Sequence, residues 1–142
     1  MAHFLRTSLV LAACLALAPA LSPRPTRVHA QETSLSVREV ALSTAVENGQ
    51  PVNPKTSFGR SEGRLYVTVH MLNPARTEAE VTVLLRQAGG ANRARISLNI
   101  PARPRYRTLA RFSTNQAPGS YEAVVLGPDG SELNVTTLTI TE

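Results

Sequence analysis

Arginine is the residue type whose number and spacing in this sequence suggest a binding site. Residues 81–121 contain no aspartate or glutamate. Seven arginines lie in that segment: Arg86, Arg93, Arg95, Arg103, Arg105, Arg107 and Arg111. A guanidinium group binds carboxylates and phosphates through two parallel hydrogen bonds, so a segment of this kind suits the recognition of an anion. The candidate anion-binding residues are Arg95, Arg105, Arg107 and Arg111.

Residue combinations typical of catalysis or metal binding are sparse. Residues 31–142 contain one histidine, His70, one aspartate, Asp129, and no cysteine. Asp129 follows a proline and precedes a glycine, where an aspartate stabilises a turn, and one histidine with scattered glutamates does not have the spacing of a metal site. Glu78 and Glu80 are expected to form a solvated edge. No glycine-rich nucleotide-binding loop is present. We therefore predict that the protein is not an enzyme and uses no cofactor.

The segments that position these side chains alternate apolar and polar residues, which is typical of β-strands. The alternation is clearest in residues 64–72, where Leu65, Val67, Val69 and Met71 share one face. Seven strands are predicted, at about residues 40–46, 64–72, 80–86, 95–100, 105–112, 121–125 and 133–140. Residues 49–63 are predicted to form a loop with a short extended piece at 56–58.

Seven short strands separated by turn signals predict an all-β fold, an immunoglobulin-like antiparallel β-sandwich, with a small barrel as the alternative. The aromatic residues are expected in its core: Phe58, Tyr66, Tyr106, Phe112 and Tyr121.

Alternation places the arginines of each strand on one face, and neighbouring strands would combine them into one basic stripe. The alternative is a solvated face whose arginines pair with carboxylates such as Glu39, Glu62 or Glu122. The sequence leaves both interpretations open.

The first 30 residues have the organisation of a secretory signal peptide: a basic start, an apolar segment, and then small residues. Cleavage is expected after Ala30 or Ala20. Leu11-Ala12-Ala13-Cys14 also resembles a bacterial lipobox, which would place a lipid on Cys14. We therefore predict a signal peptide over residues 1–30 and a single exported domain over residues 31–142, in the periplasm or outside the cell.

The formal net charge of +5 is concentrated at the N-terminus. Arg6, Arg24 and Arg27 lie in the predicted signal peptide, which has no acidic residue. The remaining chain is close to neutral, so the charge of the whole chain says little about partners. A nucleic acid is not expected, because exposed aromatic residues are not interleaved with the arginines and the protein is predicted to be exported.

Four short motifs recur in an order that matches a known family. They are Ala45-Val46-Glu47-Asn48-Gly49-Gln50-Pro51-Val52, Pro104-Arg105-Tyr106-Arg107-Thr108, Gly119-Ser120-Tyr121-Glu122-Ala123-Val124, and Asp129-Gly130. With them the chain resembles the bacterial domain-of-unknown-function family numbered 2914 over about residues 37–140. It departs from that family in having tyrosine at 106 and 121, where tryptophan is frequent, and Ala110-Arg111 near a usual lysine. The resemblance implies an immunoglobulin-like domain that is exported or membrane-attached, and it implies no catalytic residues.

Together these observations predict an exported, non-enzymatic β-sandwich module that binds a protein or polymer in the bacterial envelope. One alternative is an anion-binding surface for acidic polysaccharide or lipid phosphate. The other is a structural accessory domain that assembles by pairing edge strands. A membrane contact is expected only through the N-terminal segment or a lipid on Cys14.

Overall fold

The computed structural model describes residues 34–142, which fold into ten β-strands and one short 3-10 helix. The strands are β1 (Ser36–Ser43), β2 (Ala45–Glu47), β3 (Gln50–Val52), β4 (Ser57–Gly59), β5 (Arg64–Leu72), β6 (Ala79–Gln87), β7 (Asn92–Ile100), β8 (Arg105–Ser113), β9 (Gly119–Leu126) and β10 (Glu132–Thr141). The 3-10 helix covers Arg60–Glu62. The predicted signal peptide, with Cys14 and both cleavage positions, lies outside the described residues. Within the described residues, no helix has the length and apolar character to cross a membrane.

Two packed sheets form the sandwich of residues 34–142, and β2 and β3 pair as a separate two-stranded sheet. The front sheet has the strand order β1-β5-β8, and the back sheet has the order β4-β10-β9-β6-β7. Neighbouring strands are antiparallel except β4, which pairs parallel to β10. The chain changes sheet between β1 and β4, and again after β4, β5, β7 and β8, so that both sheets are built from segments distant in sequence, as in an immunoglobulin-like sandwich. The predicted fold class is therefore confirmed.

The core lies between the sheets and follows from the alternation in the sequence. The front sheet contributes Leu42, Leu65, Val67, Val69, Met71, Ala110 and Phe112. The back sheet contributes Phe58, Val81, Val83, Leu85, Ile100, Tyr121, Ala123, Val125, Leu138 and Ile140. Because successive strand residues point to opposite faces, the residues between these core positions form the two outer faces.

Two buried polar side chains tie loops to the sandwich. The Tyr121 hydroxyl donates to the carbonyl of Ala117 at 2.6 Å, which is the tyrosine corner found in many immunoglobulin-like domains. The Asn73 amide donates to the carbonyls of Thr77 and Pro101, at 2.7 and 3.1 Å. These bonds hold the connections between the two sheets in place.

The structure corrects three details of the sequence interpretation. The predicted first strand bends at Thr44 and divides into β1 and β2, so its second half leaves the front sheet. The predicted loop at 49–63 contains β3, β4 and the 3-10 helix, although its extended piece at 56–58 corresponds to β4. Tyr66 is not in the core, because it alternates with Leu65 and Val67 and therefore lies on the outer face of the front sheet.

A two-residue turn produces the hairpin β2–β3. Glu47 pairs with Gln50, which leaves Asn48 and Gly49 as the loop. Both loop residues have positive φ, 49° and 73°. Asn-Gly is the dipeptide that favours this kind of turn, because both residues tolerate the left-handed conformation. The hairpin lies against the front sheet, where it covers part of the outer face.

Candidate anion-binding face

Three of the four candidate arginines lie together on one face. On β8, Tyr106, Ala110 and Phe112 face the core. The alternate positions are therefore turned to solvent, and Arg105, Arg107 and Arg111 are all exposed there. They form a row along β8, which is an edge strand of the front sheet.

The fourth candidate lies elsewhere. Arg95 is on β7, which is an edge strand of the back sheet. Its neighbours Ala94 and Ile96 pack against the core, so Arg95 is on the outer face of the back sheet. Since the outer faces of two packed sheets point in opposite directions, Arg95 does not join the β8 arginines. The single stripe over both strands is not formed because the chain changes sheet between β7 and β8.

Carboxylates pair with other basic residues in the sandwich. Arg86 binds Glu122 and Glu132, both at 2.6 Å, and these bonds raise the pKa of Arg86. Lys55 forms an ion pair with Glu62. Over residues 34–142 no ion pair involves any of the four candidate arginines. The carboxylate pairing that would neutralise an anion-binding face is therefore found at Arg86 and not on β8.

One cross-strand row of the front sheet combines opposite charges with histidine. Glu39 on β1, His70 on β5 and Arg107 on β8 lie side by side in register. The pKa of His70 is lowered, first by its burial and then by the positive charges of Arg107 and Arg38, while Glu39 acts in the opposite direction. Arg105 lowers it further. His70 therefore lies near three positive charges, those of Arg38, Arg105 and Arg107, and one negative charge, that of Glu39.

The hairpin β2–β3 encloses a small cavity against this row. The cavity has a volume of about 50 Å³ and is lined by Glu39, Ala41, Gln50, Pro51, Thr68, His70 and Arg107. Thr68 is only 4% exposed although it lies on the outer face, because the hairpin covers it. Its Oγ1 has no hydrogen-bond partner among the described residues. A wider opening of about 370 Å³ lies between the hairpin tip and β8.

The motif Val46-Glu47-Asn48-Gly49-Gln50-Pro51 and the motif of β8 thus meet in space. Asn48 and Gly49 line the wider opening together with Arg107 and Leu109. Sequence reasoning assigned no functional role to Thr68 or Gln50. The sequence signal for this contact was the Asn-Gly dipeptide, because it predicts a hairpin, and a hairpin packs against another part of the fold.

The other residues considered for chemistry lie apart from this face. Asp129 accepts hydrogen bonds from the backbone N–H and the hydroxyl of Ser131 in the β9–β10 turn, and these bonds lower its pKa. Glu78 and Glu80 are exposed and line an opening of about 480 Å³ beside Ile100 and Tyr106. Among the described residues, no group of three or more histidine, cysteine, aspartate or glutamate side chains is placed to hold a metal ion.

Comparison with solved structures finds the same fold as part of larger proteins. The chain is similar to a β-glucosidase from Erythrobacter marinus, with 15% identity and a TM-score of 0.53 over 77% of this chain and 16% of the enzyme. It is also similar to β-glucosidase 3B from Thermotoga neapolitana in complex with glucose, with 12% identity and a TM-score of 0.52 over 78% of this chain and 16% of that one.

These similarities show the sandwich fold alone, because the identity is low and the chain spans 16% of the length of each enzyme. No family model matches the sequence. No curated protein matches it either.

Proposed function

We propose that this protein is an exported, non-enzymatic binding module that takes an extended polyanion of the bacterial envelope, such as an acidic polysaccharide, on the outer face of its front sheet. The observation that carries the proposal is the row of Arg105, Arg107 and Arg111 on β8, exposed and without a carboxylate partner in residues 34–142. The organisation of residues 1–30 supports export.

The spacing of the row favours an extended partner. Side chains two and four residues apart on one strand face are separated by about 7 and about 13 Å, at roughly 3.3 Å per residue. A polymer with regularly spaced carboxylates has its charges along a line, as the arginines have. Each exposed pair contributes little by itself, so binding has to come from several contacts made together.

The test is binding of the full chain to polygalacturonate, a polysaccharide of carboxylate units, measured by calorimetry at about 20 and about 300 mM salt. Each of Arg105→Glu, Arg107→Glu and Arg111→Glu is expected to weaken binding about fivefold or more, which corresponds to about 1 kcal/mol. Binding of the wild type is expected to weaken at high salt.

Arg95→Glu is the matched control. It changes the net charge by the same amount but lies on the opposite outer face, so its affinity is expected to stay close to that of the wild type. Equal weakening by all four variants would show that only net charge matters and would refute a binding face. Binding to vesicles of anionic phospholipid without binding to polygalacturonate would indicate that the ligand is a lipid headgroup and would refute the polymer.

A second candidate function is assembly by edge-strand pairing. It is favoured by one observation: β7 and β8 are nine-residue edge strands on the same side of the sandwich. Such strands present unpaired backbone groups to another chain, although charged side chains on an edge oppose that pairing. Sedimentation over a range of protein concentrations tests it, and a chain that stays monomeric at low and high salt would contradict it.

A further inference from the structure

Thr68 is an unusual residue of the front sheet. It lies on the outer face between Ala41 and Leu109, yet the hairpin β2–β3 buries it almost completely. Its hydroxyl has no partner among the described residues, and a buried hydroxyl without a partner costs about 1–3 kcal/mol. A buried hydroxyl of this kind beside a cavity can hydrogen-bond to a group that enters the cavity.

The polar residues around the cavity, His70 among them, include several that can donate a hydrogen bond. Thr68 contributes a hydroxyl, Gln50 an amide and Arg107 a guanidinium group, whereas Glu39 is the one carboxylate that lines it. Arg107 gives the cavity a charged donor, and the Thr68 hydroxyl and the Gln50 amide can donate beside it, so these groups suit an oxyanion. A volume of about 50 Å³ is large enough for a few atoms but not for a sugar ring.

We propose that the cavity under the hairpin, the hairpin pocket, is a subsite for a single oxyanion group, a carboxylate or a phosphate. The group accepts hydrogen bonds from Thr68 Oγ1 and from the guanidinium of Arg107. This inference rests on the proposed function and deepens it. Arg105 and Arg111 bind the polyanion along the face, and the hairpin pocket binds one of its charged groups.

Binding in the hairpin pocket is expected to be linked to protonation of His70. The groups that face His70 are Glu39 and Arg38 from β1 and Arg105 and Arg107 from β8, while the hairpin contributes the uncharged Gln50 and Pro51. A bound anion adds a negative charge beside the imidazole and favours its protonated form. Affinity for acetate, which stays mostly ionised in this range, is therefore expected to increase as pH falls from 7.5 to 5.5.

The experiment is a ¹⁵N NMR titration of the full chain with inorganic phosphate and, separately, with acetate. Sodium chloride at equal ionic strength is the control. Saturable shifts are expected at the amides of Gln50, Thr68 and His70, and not with chloride. The stronger of the two anions identifies the oxyanion class. Shifts that chloride reproduces would indicate an adventitious ion only and would overturn the proposal.

Thr68→Val is the diagnostic variant, because it keeps the β-branched shape and removes the hydroxyl. It is expected to weaken anion binding about fivefold or more, while the stability of the ligand-free protein stays equal or increases. Arg107→Gln is expected to weaken binding as well, and Arg95→Gln on the opposite face is expected to leave it unchanged. Unchanged binding by Thr68→Val, or a less stable ligand-free variant, would refute the role of the hydroxyl.

The two proposals fail in different ways. If Thr68→Val binds polygalacturonate as the wild type does while Arg105→Glu and Arg111→Glu do not, the hairpin pocket is refuted and the binding face stands. If phosphate or acetate binds through Thr68 and polygalacturonate does not bind, the proposed polymer function is refuted and the pocket stands.

Discussion

Replacing Tyr121 by phenylalanine removes one oxygen atom from a fully buried side chain and leaves the ring in place. The hydrogen bond to the Ala117 carbonyl, 2.6 Å in the wild type, is lost. Since the ring still fills its site, the loss contains no cavity contribution. A hydrogen bond of this kind contributes about 1 kcal/mol, and a carbonyl left partly buried adds up to about another 1 kcal/mol.

The expected loss of unfolding free energy is therefore about 1–2 kcal/mol. In a domain of about 100 residues that corresponds to a decrease in Tm of about 4–8 °C. Urea and thermal unfolding followed by far-ultraviolet circular dichroism measure both quantities. That signal is preferable to tyrosine fluorescence, because the substitution removes a fluorophore.

Tyr66→Phe is the matched control. Tyr66 lies partly exposed on the outer face of the front sheet, and its hydroxyl has no hydrogen-bond partner among the described residues. The same chemical change is expected there to alter stability by less than about 0.5 kcal/mol. If Tyr121→Phe and Tyr66→Phe change the unfolding free energy equally, the hydroxyl of Tyr121 does not fix the β8–β9 connection and the argument is wrong.

Three further outcomes are expected. Asn73→Ala should lower stability by about 2–3 kcal/mol in urea unfolding, because two backbone carbonyls lose a donor, and a loss below about 1 kcal/mol would contradict this. Arg86→Met should lower stability slightly because Glu122 and Glu132 lose their ion-pair partner, whereas Arg95→Met should be neutral in the same assay, and equal effects of the two would contradict this. Because the pKa of His70 is lowered in the folded chain, the unfolded chain binds the proton more readily. The unfolding free energy should therefore fall as pH decreases from about 6.5. It should fall less steeply in His70→Gln. If the unfolding free energies of the wild type and His70→Gln depend on pH in the same way, this expectation is wrong.

The long strands were predictable because each buries one face. β5 alternates without interruption, and its apolar positions, Leu65, Val67, Val69 and Met71, are all in the core. The three-residue strands carry no such pattern. β4 is a strand only because β10 runs beside it, and β3 exists because Asn48 and Gly49 reverse the chain. A strand that forms by pairing with a distant segment does not need a local alternation of apolar and polar residues, so the sequence does not reveal it.

The candidate site was predictable in part for the same reason. Alternation correctly places Arg105, Arg107 and Arg111 on one face of β8. It does not indicate which sheet a strand joins, and the change of sheet after β7 separates Arg95 from them. Thr68 was not recognised because its burial comes from a hairpin that crosses the sheet. The period of β5 alone would place it in solvent.

The parallel pairing of β4 with β10 also has a consequence for the order of folding. Ser57 lies beside Thr139, so β4 finds its partner only in β10, about 80 residues later in the chain. Phe58 and Ile140, both buried, pair with each other in the same register. A chain still being synthesised therefore cannot close this edge of the core until β10 has emerged. Contacts between residues so distant in sequence form slowly, so the unfinished chain keeps an open, apolar edge until then.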